Sequence, residues 1–254
     1  MKNYREIFNN KIALVTGGAK RLGCAIATEL ARQGCHVIVQ YRKSDAEAHA
    51  LVKRLKEKFG IFALSLKADL SQAEEVEGLL YRAVDASGPI DYLVNNASVF
   101  LPSLLDNITF SDIADAMQVN AYAPLQLSRV FAQQRNPGAA ILNLLDTRIH
   151  GYDREHAAYH LSKRALFSLT KMMAEEYAPY VRVNGLAPGL ILPPPEIGDN
   201  VHWLEVRRNT NPLNAYGSID DVSDAAIFLL SSDFITGEVL HVDGGRHLRS
   251  HFYE

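Results

Sequence analysis

A chain of 254 residues, 48% hydrophobic and 22% charged with a formal net charge of -3, can bury one sizeable core, and α/β folds of this length are commonly one domain. The near-neutral balance offers no basic face for nucleic acid. Cys24 and Cys35 are too few for a disulfide framework or a cysteine metal site, and no apolar run reaches membrane-spanning length. The polar start MKNYREIFNNK lacks a signal-peptide core, so a soluble, cytoplasmic protein is expected.

Strand-like runs alternate with helical periods. KIALVT leads into a helix to Gln33, CHVIVQY into a helix to Phe59, and IFALSLK into a helix over 71–86. IDYLV precedes a helical region to Gln134. AAILNLL then leads to the long helix carrying Tyr159, and VRVNGL to a loop with Pro193, Pro194 and Pro195. A helix near 219–231 and EVLHV close the series. Seven β segments joined by helices predict a single-domain, doubly wound parallel sheet of Rossmann type spanning 1–254, covered on both faces. Ligands of such sheets bind beyond the carboxyl ends of the strands. Every candidate site residue falls at such an end.

The first strand runs into VTGGAKRLG, whose Gly17, Gly18 and Gly23 allow a pyrophosphate close to a helix N-terminus. Lys20, Arg21 and Leu22 belong to the same loop, and Arg21 adds a guanidinium beside the phosphates. The second strand ends in Gln40, Tyr41, Arg42, Lys43 and Ser44. An acid there would hold the ribose 2′-hydroxyl of NAD. Two cations and a hydroxyl suit the 2′-phosphate of NADP. Asp45 starts or caps the next helix.

After the third strand, Asp69 with Leu70 either reaches the adenine amino group or signals the next helix, where Ser71 and Glu74 form a capping box. NNAS contributes Asn96, Ala97 and Ser98 to ribose or neighbouring backbone. Phe100 either lies over the nicotinamide end or packs in the core. Asn120, polar within an apolar helix, marks a helix kink or a proton-relay site.

Tyr159 and Lys163 lie one helical turn apart on one face. An ammonium there is expected to lower the phenol's pKa and ready it for proton transfer. Asp146 ends AAILNLL and faces the same place. It is a catalytic candidate with Tyr159, Lys163 and Asn120. The nine histidines show no metal-ligand spacing. His156 and His160 read as surface residues, and EAHALVKRLKEKF as the solvated face of a helix.

TGGAKRLG, NNAS, the VN at Asn120, Tyr159-x-x-x-Lys163 and LAPG at 186–189 resemble the short-chain dehydrogenase/reductases over nearly the whole chain. Most members carry serine where this chain has Asp146. Arg21, Asp146, Phe100, YRKSDAEAHAL and PGLI followed by Trp203 look like the pteridine reductase branch. DGGRHLR looks like its bacterial dihydromonapterin/dihydrofolate reductases. Val206 stands where some of these enzymes use a histidine.

The resemblance implies an NADPH-dependent reductase of a pterin or folate, with the ring between the nicotinamide and Phe100. Arg21, Ser98, Asp146, Tyr159, Leu190 and Trp203 would contact substrate, within a substrate loop of about 189–215. Lys163 would hold the nicotinamide ribose, and Pro188, Gly189 and Leu190 would border the cofactor. It also implies a homotetramer built on helices around 111–134 and 153–178, with RHLRSHFYE reaching a neighbouring active site. Competing functions are reduction of a ketone such as a 3-oxoacyl thioester, and a non-catalytic NADP-binding module.

Overall fold

The computed structural model describes residues 3–151, 153–194, 197–198 and 200–249. Pro195 and residues 250–254 of the C-terminal tail, His251 among them, lie outside these. Seven strands form one parallel sheet: β1 (Ile12–Val15), β2 (His36–Tyr41), β3 (Ala63–Lys67), β4 (Tyr92–Asn95), β5 (Ala139–Leu144), β6 (Val181–Pro188) and β7 (Val239–Val242). Their order is β3-β2-β1-β4-β5-β6-β7. The direction of winding reverses between β1 and β4, which opens a crevice above the ends of those strands.

The helices are α1 (Tyr4–Phe8), α2 (Arg21–Arg32), α3 (Asp45–Phe59), α4 (Ala73–Ser87), α5 (Phe110–Met117), α6 (Ala123–Gln133), α7 (Ala157–Glu176), α8 (Val201–Glu205) and α9 (Ile219–Ser231). Alternation along the strands builds the two cores. Val15, Val37 and Val39 pack with Leu30, Leu55 and Leu230 on one face, and Leu14, Ile38 and Leu93 with Leu79, Leu127 and Phe131 on the other. Cys35 is buried in the first core and Cys24 packs against it.

Local chemistry sets the helix ends. Asp45 and Glu47 begin α3, Lys56 and Lys58 close it, and Gly60 caps it at φ +67°. Capping boxes start α5 (Thr109, Asp112) and α9 (Ser218, Asp221). The box expected at Ser71 and Glu74 is absent, because the Ser71 hydroxyl donates to Asp69 at 2.8 Å and α4 starts two residues later. The helical region ending near Gln134 is divided by a π-turn at Gln118–Tyr122. The short α1, unexpected from the polar N-terminus, buries Phe8 against Tyr92. Among the described residues, no helix is long and apolar enough to cross a membrane.

Candidate active site

The turn from β1 into α2 is shaped for close approach of a ligand. Gly17 has φ +58°, and a Cβ there would lie 2.9 Å from the Ala97 Cα. A Cβ on Gly23 would lie 2.4 Å from the Gly17 carbonyl oxygen. Only glycine fits both places. Asn96 Nδ2 donates to the Thr16 and Gly17 carbonyls at 2.8 and 3.1 Å, while Thr16 Oγ1 accepts from the Asn96 and Ala97 amides. Gln40, not foreseen in this role, takes the Gly17 amide on its Oε1 at 2.8 Å and donates to the Ala68 carbonyl at 2.7 Å. Its signal was a polar residue inside an apolar strand.

A cleft of about 460 Å³ opens beside this turn, of ordinary size for a small-molecule site. Lys20, Arg21, Leu22, Arg42, Asp69 and Leu70 line one part of it. Asn96, Ala97, Ser98, Asp146, Tyr159, Pro188 and Gly189 line the rest. Lys20 pairs with Glu47 at 2.6 Å. Arg21, at φ +53°, donates to the Pro193 carbonyl at 2.5 Å and so joins the phosphate turn to the loop after β6.

Two cations stand just beyond the end of β2. Arg42 faces the cleft and lies 3.7 Å from Asp69, while Lys43 and Ser44 stand at the adjacent surface. Tyr41, expected to meet cofactor, points into the core instead, with its hydroxyl donating to Asp45 at 3.3 Å. Burial works to raise the Asp69 pKa, but hydrogen bonds from Ser71 and the charge of Arg42 outweigh it and hold the group below its ordinary value. The glycine cradle, the exposed cations beyond β2 and the volume of the cleft together fit a dinucleotide with a 2′-phosphate.

At the other end Tyr159 donates from its hydroxyl to Asp146 Oδ2 at 2.9 Å. Asp146 Oδ1 accepts the Arg148 amide at 2.7 Å, so one carboxylate both caps the turn Thr147–His150 and holds the phenol. Lys163 donates to the Leu144 carbonyl at 2.7 Å and sits 5.8 Å from the centre of the Tyr159 ring. The expected lowering of the phenol pKa by Lys163 is overturned. Burial, then the Asp146 carboxylate, push the phenol well above its ordinary value, and burial lowers the ammonium to about 8. Tyr159 is therefore a protonated phenol at neutral pH.

Asn120 lies in the π-turn, fully buried. Its Oδ1 accepts from Ser98 Oγ (3.1 Å) and the Val99 amide (2.8 Å), and its Nδ2 donates to the Val99 carbonyl (3.0 Å) and Ser162 Oγ (2.9 Å). All four hydrogen-bonding valences of the side chain are used. This side chain ties the loop after β4 to α7.

Phe100 is 38% exposed, with one ring face on His156 (centroids 3.8 Å apart, planes at 15°) and its edge on Tyr159 (4.6 Å). It thus adjoins the cleft through Tyr159 and is not one of its lining residues. Leu190 is buried, and Ile191 and Leu192 line the cleft in its place. Trp203, on α8, stacks with the Arg207 guanidinium 4.2 Å from its ring and is not brought to the cleft. His156 and His160, expected at the surface, are half-buried and buried respectively, and both contact Asp153. Among the described residues, no cluster of three metal-ligating side chains occurs.

Comparison with known proteins agrees with this geometry. A family model described as enoyl-(acyl carrier protein) reductase matches residues 17–247. The 3-oxoacyl-(acyl-carrier-protein) reductase FabG of Staphylococcus epidermidis is 31% identical over 94% of this chain and 100% of its own length. FolM alternative dihydrofolate reductase 1 from Brucella canis, solved with NADP, superposes with a TM-score of 0.87 at 30% identity, covering 96% of this chain and 97% of that one. A short-chain dehydrogenase from Burkholderia cenocepacia, also with NADP, gives a TM-score of 0.86 at 32% identity over 94% of this chain and 98% of that one.

Proposed function

This chain belongs to the short-chain dehydrogenase/reductase family and is an NADP-dependent oxidoreductase; within that family we propose that it reduces a pterin, such as dihydromonapterin, dihydrobiopterin or dihydrofolate, to the tetrahydro form. The observation that carries this reading is the Tyr159–Asp146 hydrogen bond of 2.9 Å. A ring nitrogen that gains a proton, on a cationic and nitrogen-rich ring, is matched by a carboxylate better than a ketone would be. The likeness to FolM alternative dihydrofolate reductase 1 supports it from outside the chain.

NADPH, when bound, supplies the hydride. Gly17, Lys20, Arg21, Leu22, Asn96 and Ala97 would hold its phosphates and ribose; Arg42, Lys43 and Ser44 would take the 2′-phosphate; and Asp69 and Leu70 would flank the adenine. Lys163, buried behind the cleft with one donor on the Leu144 carbonyl, would turn its remaining donors to the nicotinamide ribose, and Pro188 and Gly189 would border it. Tyr159 is the proton donor. Asp146 orients the phenol and returns a proton to it. Arg21 and Ser98 hydrogen-bond the substrate, and Phe100 stands at its edge. Residues 1–254 act as one domain, with the substrate loop over about 189–215. Exposed Phe110, Tyr122, Leu161 and Met172 on the helices around 111–134 and 153–178 support a homotetramer.

The FabG relatives favour a second reading, reduction of a 3-oxoacyl thioester on the same scaffold. NADPH oxidation assayed side by side with 7,8-dihydrobiopterin, dihydromonapterin, dihydrofolate and acetoacetyl thioester decides between them. Turnover of the pterins is expected; turnover of the thioester alone would move the assignment to ketone reduction.

A further inference from the structure

Asp153, in the turn before α7, is met on its carboxylate by three side chains, Arg148, His156 and His160, and its backbone amide donates to His160 Nε2 at 3.2 Å. Arg148 Nη1 donates to Oδ2 at 2.9 Å, His160 Nε2 lies 3.0 Å from the same oxygen, and His156 Nδ1 lies 2.7 Å from Oδ1. Two of these partners also touch the proposed proton-donating pair, and the third reaches it through Phe100. The Arg148 backbone amide donates to Asp146 at 2.7 Å. The His160 ring meets Tyr159 edge-on at 5.2 Å, and His156 stacks on Phe100, whose edge rests on Tyr159.

We propose that Asp153 is a positioning residue, which through Arg148, His156 and His160 fixes Asp146, Tyr159 and Phe100 relative to one another. It rests on the reading of Tyr159 and Asp146 as the proton-donating pair. Burial opposes the charge on Asp153, but hydrogen bonds and charge from His156, then His160, hold it far below the usual carboxylate range, so it is ionised throughout the working pH range. Its charge also reaches the phenol, acting with burial and Asp146 to raise it while Arg148 acts to lower it. The titratable and charged groups facing Asp153 are Arg148, His156 and His160; those facing the phenol are Asp146, His160 and Lys163, with Asp153 and Arg148 acting on it from further off.

The test uses the full chain with 7,8-dihydrobiopterin, and with acetoacetyl thioester if the pterin is not turned over. Asp153→Asn is expected to lower kcat roughly tenfold or more, because small misplacements of reacting groups are costly. The apparent pKa in the pH profile of kcat should move down, while the NADPH dissociation constant changes by less than about twofold. Arg148→Gln leaves the backbone cap on Asp146 in place and serves if Asp153→Asn does not fold; a smaller loss of kcat in the same sense is expected. Unchanged kcat and pH profile in a folded variant overturn the proposal, as does a loss confined to NADPH binding. Tyr159→Phe run in parallel separates the two ideas. If it stays active, or the wild type turns over neither substrate, the proton-donor reading falls and this inference with it. If Tyr159→Phe is inactive and Asp153→Asn is not impaired, only this inference falls.

Discussion

The Lys163 ammonium is bound to the carbonyl of Leu144, the last residue of β5, at 2.7 Å, and not to the phenol one helical turn away. Burial lowers its pKa to about 8, with Asp146 acting in the opposite sense. Folding therefore disfavours the charged form, and between that value and the ordinary 10.5 the unfolded chain binds more protons than the folded one. Stability from this group rises with pH through that window. Lys163→Met removes the dependence. Denaturant unfolding from roughly pH 7.5 to 10 should show wild type gaining about 2–3 kcal/mol on the variant. A difference that does not vary with pH would contradict the burial of a charged lysine.

Asp146 carries two bonds on two oxygens, so substitutions there separate shape from charge. Asp146→Asn should keep NADPH affinity and lose pterin reduction by roughly a hundredfold or more, the range for a positioned acid-base group. Asp146→Ser restores the hydroxyl usual in ketone reductases and should favour the thioester over the pterin. Steady-state kinetics with both substrates checks this, and full pterin turnover by Asp146→Asn would reject the carboxyl as a catalytic group.

Arg42 faces the cleft where the 2′-phosphate is assigned. Arg42→Ala is expected to raise KM for NADPH roughly ten- to hundredfold, the loss of a charge-assisted contact, with KM for NADH nearly constant. An equal rise for both nucleotides would place Arg42 outside the phosphate pocket.

Asn120→Ala leaves the Val99 amide without its acceptor and takes one donor each from the Val99 carbonyl and from the Ser162 hydroxyl, which still donates to the Tyr159 carbonyl. A cost of about 1–3 kcal/mol follows from the unpaired amide. Calorimetric melting against wild type measures it. A variant as stable as wild type would mean that the loop after β4 is held by something else.

The fold was readable because its signals are local. Valines and isoleucines in short runs, each followed by a helical period, already set the seven strands and therefore their carboxyl ends. Which residue of an end faces the cleft was harder. Gln40, on β2, and Arg42, just past its end, line the cleft while Tyr41 between them lies in the core, so three adjacent residues taken as one cluster divide between cleft and core. The pairing of Tyr159 with Asp146 could be anticipated from an apolar strand ending in a carboxylate. The destination of Lys163 could not, because helical spacing says where an ammonium sits and not which carbonyl the next strand offers it. His156 and His160 were misread as surface for a related reason. Their burial comes from Phe100, Asp153 and the Ser103 backbone bridging to His156, contacts between segments far apart or outside the helix. Trp203 was placed by analogy alone, and the Arg207 guanidinium covers it.

The Gln40 side chain spans the phosphate turn and the end of β3, with both ends of its amide engaged. On the proposed assignment, grip on the diphosphate and discrimination between the two nicotinamide coenzymes would reside in neighbouring but separate side chains at one strand end. Coenzyme preference can accordingly drift or be engineered at Arg42 and Lys43 while position 40 stays constant, and exchanging Gln40 would weaken both coenzymes alike.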